Sequence, residues 1–283
     1  MVFFMFKGLK NCVDSIASLK WVPNFLTLCN SLCGFAAILY TLRVYESQKS
    51  SASVYMTSAF IVLFAMVFDA LDGFVARKLN ASSVYGVEMD SLSDMVTFGL
   101  APAIIVAIMT HTMRMSIDVP HGAIQEIAVY CLCSIYIGGA ALRLARYNIH
   151  ALMPEEAEKN KKSSNKNYFS GIPSPGAAAA ICSIVIYAKD TRIPDIYIVR
   201  YLPIYAAILG LLMVSNVPYV HVGRWLFSAF RSKKNIAVLI LVIAVIAIFR
   251  IPGITALLTL YVFSGFFNLI LKKLGKGNFR EEA

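Results

Sequence analysis

The chain has 283 residues, of which 58% are hydrophobic and 15% charged, with a formal net charge of +10. Soluble domains carry about 45–50% apolar and about 25% charged residues, so a soluble enzyme and a disordered chain are both excluded. The surplus sits in long blocks such as Phe25–Leu42 and Ile236–Phe249, which leaves a polytopic membrane protein. Five of the six cysteines (Cys29, Cys33, Cys131, Cys133 and Cys182) fall within apolar stretches, so they read as buried thiols and not as a disulfide scaffold. Cys131 and Cys133 point to different faces of a helix and suit neither a metal nor a redox pair.

In chain order, residues 1–22 predict an amphipathic helix lying in the membrane interface. Phe6, Leu9, Val13 and Ile16 recur at helical spacing, with Lys7, Lys10, Asp14 and Ser18 mostly on other faces. This stretch is too short and too broken for a secretory signal. At about 20 residues per crossing of a ~30 Å core, eight spans follow. They are Phe25–Leu42, Tyr55–Arg77, Ser91–Thr110, Ile127–Asn148, Pro175–Ala188, Tyr201–Asn216, Ile236–Phe249 and Gly253–Leu271, the fifth and seventh short as drawn. Glu155–Asn167, rich in Lys, Glu, Ser and Asn, reads as a solvated loop or a short surface helix. The expected fold class is all-α, a polytopic membrane helical bundle.

Orientation follows from the basic residues. With the N-terminus inside, 19 Lys and Arg fall on inner segments, and 7 (Arg43, Lys49, Arg114, Lys189, Arg192, Arg200 and Arg250) fall outside. That bias predicts both termini on the cytoplasmic side. The positive net charge then belongs to loops beside an anionic leaflet, and no nucleic acid is expected among the partners.

Most of the 16 acidic residues lie in loops, but Asp69, Asp72, Asp90 and Asp94 lie within or at the ends of apolar spans. Ionisable groups at such depth are costly and mark function. Asp69 and Asp72 are i, i+3, and Asp90 and Asp94 are i, i+4, so each helix presents a pair on one face. A short cytoplasmic turn joins the helices and sets the pairs opposite one another. Carboxylates gathered in this way need shared protons or bound cations, and hard oxygen ligands suit Mg²⁺ or Mn²⁺. Gly73 and Ala76 leave room for a bulky ligand, Arg77 has the planar fork that suits phosphate, and Gly86 ends the turn. A metal-bound pyrophosphate fits this set better than a proton relay. An ion-coupled transporter is the reading from another class, but it would call for inverted halves with broken helices.

Written out, the segment is Asp69-x2-Asp72-Gly73-x2-Ala76-Arg77-x8-Gly86-x3-Asp90-x3-Asp94. It resembles, position for position, the signature of the CDP-alcohol phosphatidyltransferase family. The resemblance implies an integral membrane enzyme with a six-helix core that passes a phosphatidyl group from a CDP-activated lipid to an alcohol and releases CMP. It implies two Mg²⁺ or Mn²⁺ ions held by Asp69, Asp72, Asp90 and Asp94, with Asp94 as general base. It further places Asn24, Thr27, Gly73, Arg77, Ser83 and Gly86 around the CDP group and its phosphates, and it implies a homodimer. On this basis residues 23–216 form the core, and residues 217–283 add two transmembrane helices and a basic tail.

Three further stretches bear on the alcohol: Pro23-Asn24-x2-Thr27-x2-Asn30-x3-Gly34, Leu142-Arg143-Leu144-Ala145-Arg146-Tyr147-Asn148 and Phe169-Ser170-Gly171-Ile172-Pro173-Ser174-Pro175. Together they look like the bacterial and archaeal membrane-bound phosphatidylserine synthases. That likeness implies CDP-diacylglycerol and L-serine as substrates. Arg143 and Arg146 are placed to bind the serine carboxylate, and Asn148, Ser170 and Ser174 to add hydrogen bonds. Basic residues at helix ends also snorkel to headgroups, and glycerol 3-phosphate or inositol phosphate stands as the alternative acceptor. Gly138 and Gly139, followed by Ala140 and Ala141, predict a close helix contact.

Overall fold

The computed structural model describes residues 21–45, 51–79, 81, 83–117, 122–152, 168–191, 193–220 and 250–265. In chain order its helices are α1 (Val22–Leu42), α2 (Ser51–Lys78), α3 (Val84–Asp94), α4 (Ala101–Ser116), α5 (Ala123–Leu152), α6 (Ser174–Asp190) and α7 (Asp195–Val214), followed by α8 over 250–265. A π-helical turn, Met95–Leu100, joins α3 and α4 into one rod. The only strands among the described residues are β1 (Tyr168–Ser170) and β2 (Pro218–Val220), a short antiparallel ribbon. The all-α helical bundle is therefore the observed class.

Among the described residues, five helices are long and apolar enough to cross a membrane: Val22–Tyr45, Ser53–Lys78, Val84–Ser116, Ala123–Ile149 and Asp195–Val214. These correspond to the first four expected spans and the sixth. The fifth expected span is α6, which at 17 residues falls short in length. Its Ala177–Ile181 run is buried, so α6 is enclosed by other helices and needs no lipid-facing side. The seventh expected span lies outside the described residues, and the eighth is represented by α8. The interfacial segment 1–20 and the Glu155–Asn167 stretch also lie outside them.

The helices are apolar outward and small or polar inward, the reverse of a soluble bundle. On α1, Phe25, Leu28, Leu32, Phe35, Leu39 and Leu42 are exposed. Its inner stripe is Pro23, Thr27, Asn30, Gly34, Ala37 and Thr41. Small residues bring backbones together where lipid supplies no hydrophobic drive. A Cβ on Gly139 would come 2.2 Å from the Gly210 carbonyl oxygen, so α5 and α7 cross almost backbone to backbone. The close helix contact expected at Gly138 and Gly139 is thus made by Gly139, whereas Gly138 faces open space. The α3–α4 rod and α7 are the inner spans, with 61% and 56% of their apolar windows buried against 33% or less for the other three.

The π turn has a local cause. Pro102 has no N–H to donate, and its ring would press on the Phe98 carbonyl in a regular helix. The Ala101 N–H instead reaches back to the Val96 carbonyl, five residues earlier. The buried Tyr136 hydroxyl of α5 donates to the Phe98 carbonyl oxygen at 2.7 Å. This turn begins one residue after Asp94, and such turns are common at functional sites.

Candidate active site

The site forms where α1, α2 and α3 meet. Two hydrogen bonds and one close approach dock α3 and the π turn against α1. The Ser93 hydroxyl donates to the Thr27 carbonyl at 2.8 Å, and the Thr97 hydroxyl to the Asn30 carbonyl at 2.9 Å. A Cβ on Gly34 would lie 2.5 Å from Thr97 Oγ1, so glycine is what allows that approach.

This docking turns the polar stripe of α1 toward the carboxylates. Thr27 Oγ1 donates to Asp72 Oδ2 at 2.8 Å, and Asn30 Nδ2 donates to Asp94 Oδ1 at 3.3 Å. Ligand oxygens of Asp69, Asp72 and Asp90 lie within 4.8 Å of one another. Asp94, 8% exposed, stands outside that trio with its carboxyl against that of Asp69. The facing pairs expected from the i, i+3 and i, i+4 spacing are thus brought together.

The donor set fits a hard divalent cation. It is all oxygen, and Asp90 Oδ1 is buried with no hydrogen-bond partner. Among the described residues, the ion pairs are His111–Glu126 and Lys189–Asp195, so no Lys or Arg forms an ion pair with these carboxylates. A buried charge without a partner is costly, and a bound cation removes that cost.

The residues expected around CDP lie on the segments of α1, α2 and α3 that carry or flank the carboxylates. Gly73 follows Asp72, and a Cβ there would meet only an Arg77 guanidinium nitrogen at 3.8 Å, so the space above it is open. Arg77 lies in the last turn of α2. Ser83 serves the helix itself as the N-cap of α3, its hydroxyl accepting from the Gly86 N–H at 3.0 Å. Gly86 lies in the first turn of α3 and not at the end of the connection, and a Cβ on it would sit 3.5 Å from Asn24 Oδ1.

The residues expected to hold the acceptor divide. Arg143 of α5 donates to Ser174 Oγ at 2.9 Å, and Ser174 is fully buried at the start of α6. The Arg143 guanidinium also lies within electrostatic reach of Asp94, which ties this pair to the carboxylate cluster. Arg146 points elsewhere and donates to the Val214 carbonyl at the end of α7, 3.3 Å away, so it closes that helix. Asn148 accepts from the Ser91 hydroxyl at 2.6 Å, in a groove of ≈ 340 Å³ between α3 and α5. Ser170 belongs to β1, and its side chain lies outside the described residues.

Asn30, Ser93 and Tyr136 are site residues that the amino-acid sequence did not single out for a role. The signal for the first two was present: polar side chains at helical spacing on otherwise apolar spans, facing one another once α1 and α3 pack.

The sequence profile described as CDP-alcohol phosphatidyltransferase matches residues 20–214. The chain is 28% identical over 235 residues to the CDP-diacylglycerol–serine O-phosphatidyltransferase of Helicobacter pylori, covering 83% of this chain and 84% of that one. It is 33% identical over 176 residues to the protein of that name from Saccharomyces cerevisiae, covering 62% and 56%. It is 29% identical over 209 residues to the archaetidylserine synthase of Methanothermobacter thermautotrophicus, covering 73% and 72%.

Proposed function

The chain belongs to the CDP-alcohol phosphatidyltransferase family, and from that premise we propose that it transfers the phosphatidyl group of CDP-diacylglycerol to L-serine, giving phosphatidylserine and CMP. The observation that carries this reading is the position of Arg143 and Ser174, bonded to each other and in electrostatic reach of Asp94 beside the carboxylate trio. Serine offers a carboxylate for the guanidinium and a hydroxyl for the aspartate. The names of the bacterial, yeast and archaeal relatives support the same alcohol.

In this reading residues 23–216 are the catalytic unit. The lipid enters laterally with its acyl chains in the bilayer. Asn24 and Thr27 of α1, Gly73 and Arg77 of α2, and Ser83 and Gly86 at the start of α3 surround the CDP group. Asp69, Asp72 and Asp90, with Asp94 at their edge, hold Mg²⁺ or Mn²⁺, two ions in all. Ions bound there supply charge neutralisation and polarise the pyrophosphate oxygens. Asn30 holds the Asp94 carboxylate toward the acceptor, and Asp94 takes the hydroxyl proton as the serine oxygen attacks the lipid-bearing phosphorus. The bond from that phosphorus to the CMP oxygen breaks, and CMP leaves with the electron pair. Positioning and electrostatics carry most of the rate in such a transfer. The basic residues near the ends of α2 and α5 support a site and termini on the cytoplasmic side, and in this reading the working form is a homodimer.

The test is CMP release from CDP-diacylglycerol by the purified protein, with serine, glycerol 3-phosphate, inositol and inositol phosphate in turn, with and without Mg²⁺ or Mn²⁺. Metal-dependent release with serine alone is expected. Release with glycerol 3-phosphate or inositol phosphate instead would overturn the acceptor and keep the reaction. Cross-linking in membranes gives the oligomeric state, and labelling of a single cysteine introduced near Arg77 gives the side.

A further inference from the structure

The family match ends at residue 214, yet α8, which lies beyond it, packs against α6, the helix that carries Ser174. It is anchored at separate levels. The Thr255 hydroxyl donates to the Ser183 carbonyl of α6 at 3.2 Å. The Tyr219 hydroxyl of β2 donates to the Val262 carbonyl at 2.9 Å, and Gly265 leaves no room for a side chain over the Tyr219 ring, where a Cβ would come within 2.3 Å. Between these anchors Tyr261 projects toward the first turn of α6. Its ring would lie 3.4 Å from a Cβ on Gly176, two residues after Ser174. The ring also packs on Tyr219 at 5.6 Å between centroids. Its phenol oxygen is close enough to the Arg143 guanidinium for the two to interact electrostatically.

We propose that α8 forms a wall of the acceptor site and that Tyr261 is a positioning residue for the acceptor alcohol, acting through Arg143. The Arg143 side chain has one nitrogen bonded to Ser174, while its buried Nε has no partner. A long flexible side chain so held has freedom to turn, and a phenol beside the first turn of α6 that interacts with it electrostatically restricts it to the orientation in which its fork faces the carboxylate of the alcohol. The inference rests on the reading of Arg143 and Ser174 as the acceptor site, and it gives the segment beyond the family core a part in choosing the alcohol.

The experiment measures CMP release by the full-length protein at varied serine and at varied CDP-diacylglycerol. Tyr261→Phe removes only the hydroxyl and is expected to raise the serine KM several-fold, while the KM for the lipid stays within about twofold. Thr255→Val loosens one anchor of α8 without touching Arg143 and is expected to shift the serine KM less than Tyr261→Phe does. Arg143→Ala tests the underlying reading and is expected to raise the serine KM more than Tyr261→Phe does. A serine KM that moves with Arg143→Ala but not with Tyr261→Phe overturns the role of Tyr261 and leaves the acceptor site standing. Equal shifts from Tyr261→Phe and Thr255→Val make Tyr261 a packing residue and overturn the proposal. A serine KM indifferent to Arg143→Ala overturns the acceptor site and the proposal with it.

Discussion

Asp94 combines two properties that set it apart from the other carboxylates: a bond from Asn30 and a place outside the trio of ligand oxygens. A base must be held by groups other than the reacting ones, and Asn30 does this from a helix that α3 cannot leave without breaking the Ser93 and Thr97 bonds. Asp94→Asn keeps the shape and the contact with Asn30 while removing the base. Its CMP release is expected to fall by about 10²–10⁴-fold with an unchanged melting temperature; near-normal turnover would remove Asp94 from the chemistry. Gly73 gives a second test with a different logic. Nothing in the protein obstructs a Cβ there, and alanine is the better helix former by about 1 kcal/mol. Gly73→Ala is expected to be at least as stable as the parent and to raise the KM for the CDP-lipid; an unchanged KM would mean that no ligand approaches this backbone.

Among the helices, the rod formed by α3, the π turn and α4 depends on one side chain from elsewhere. Pro102 strips the Phe98 carbonyl of its helical donor, and Tyr136 replaces it. Tyr136→Phe leaves a buried carbonyl unpaired, so it is expected to cost about 1–3 kcal/mol, read as a lower melting temperature in detergent. Because the turn begins directly after Asp94, the same variant is expected to lower kcat more than either KM. Ser83 and Arg146 show the opposite relation. They were expected to touch phosphate and serine, and their observed bonds are to a helix N-terminus and a helix C-terminus. A polar residue near a motif can serve the helix that carries the motif, and only the contact tells which.

Across the whole bundle, the apolar faces point outward to lipid and the polar groups are gathered inside, with the carboxylate cluster at one end of α2 and α3. Four acidic side chains converging with no ion-pair partner among the described residues are a source of repulsion in the folded state. Mg²⁺ or Mn²⁺ is therefore expected to raise the melting temperature of the purified protein and a chelator to lower it, with CMP release lost and restored in parallel. At a free ion concentration a hundredfold above Kd, mass action predicts about 2.7 kcal/mol of stabilisation. A melting temperature indifferent to chelation would argue against an ion in this cluster.

The helical class, five of the eight expected spans and the carboxylates of the candidate metal site were legible in the amino-acid sequence because each depends on local rules. Hydropathy over a window reports a crossing, and spacings of three and four residues report a shared helix face. Charge inside an apolar run reports function because the membrane makes it costly. What depends on the approach of distant segments was not legible: the enclosure that lets α6 be only 17 residues long, the turn of Asn30 toward Asp94, the division of labour between Arg143 and Arg146, and the return of α8 to the Ser174 side of the bundle. The physical reason is that an apolar helix can rotate and translate within lipid at little cost. Its orientation is settled only by the small-residue contacts and buried hydrogen bonds that it finds on its neighbours.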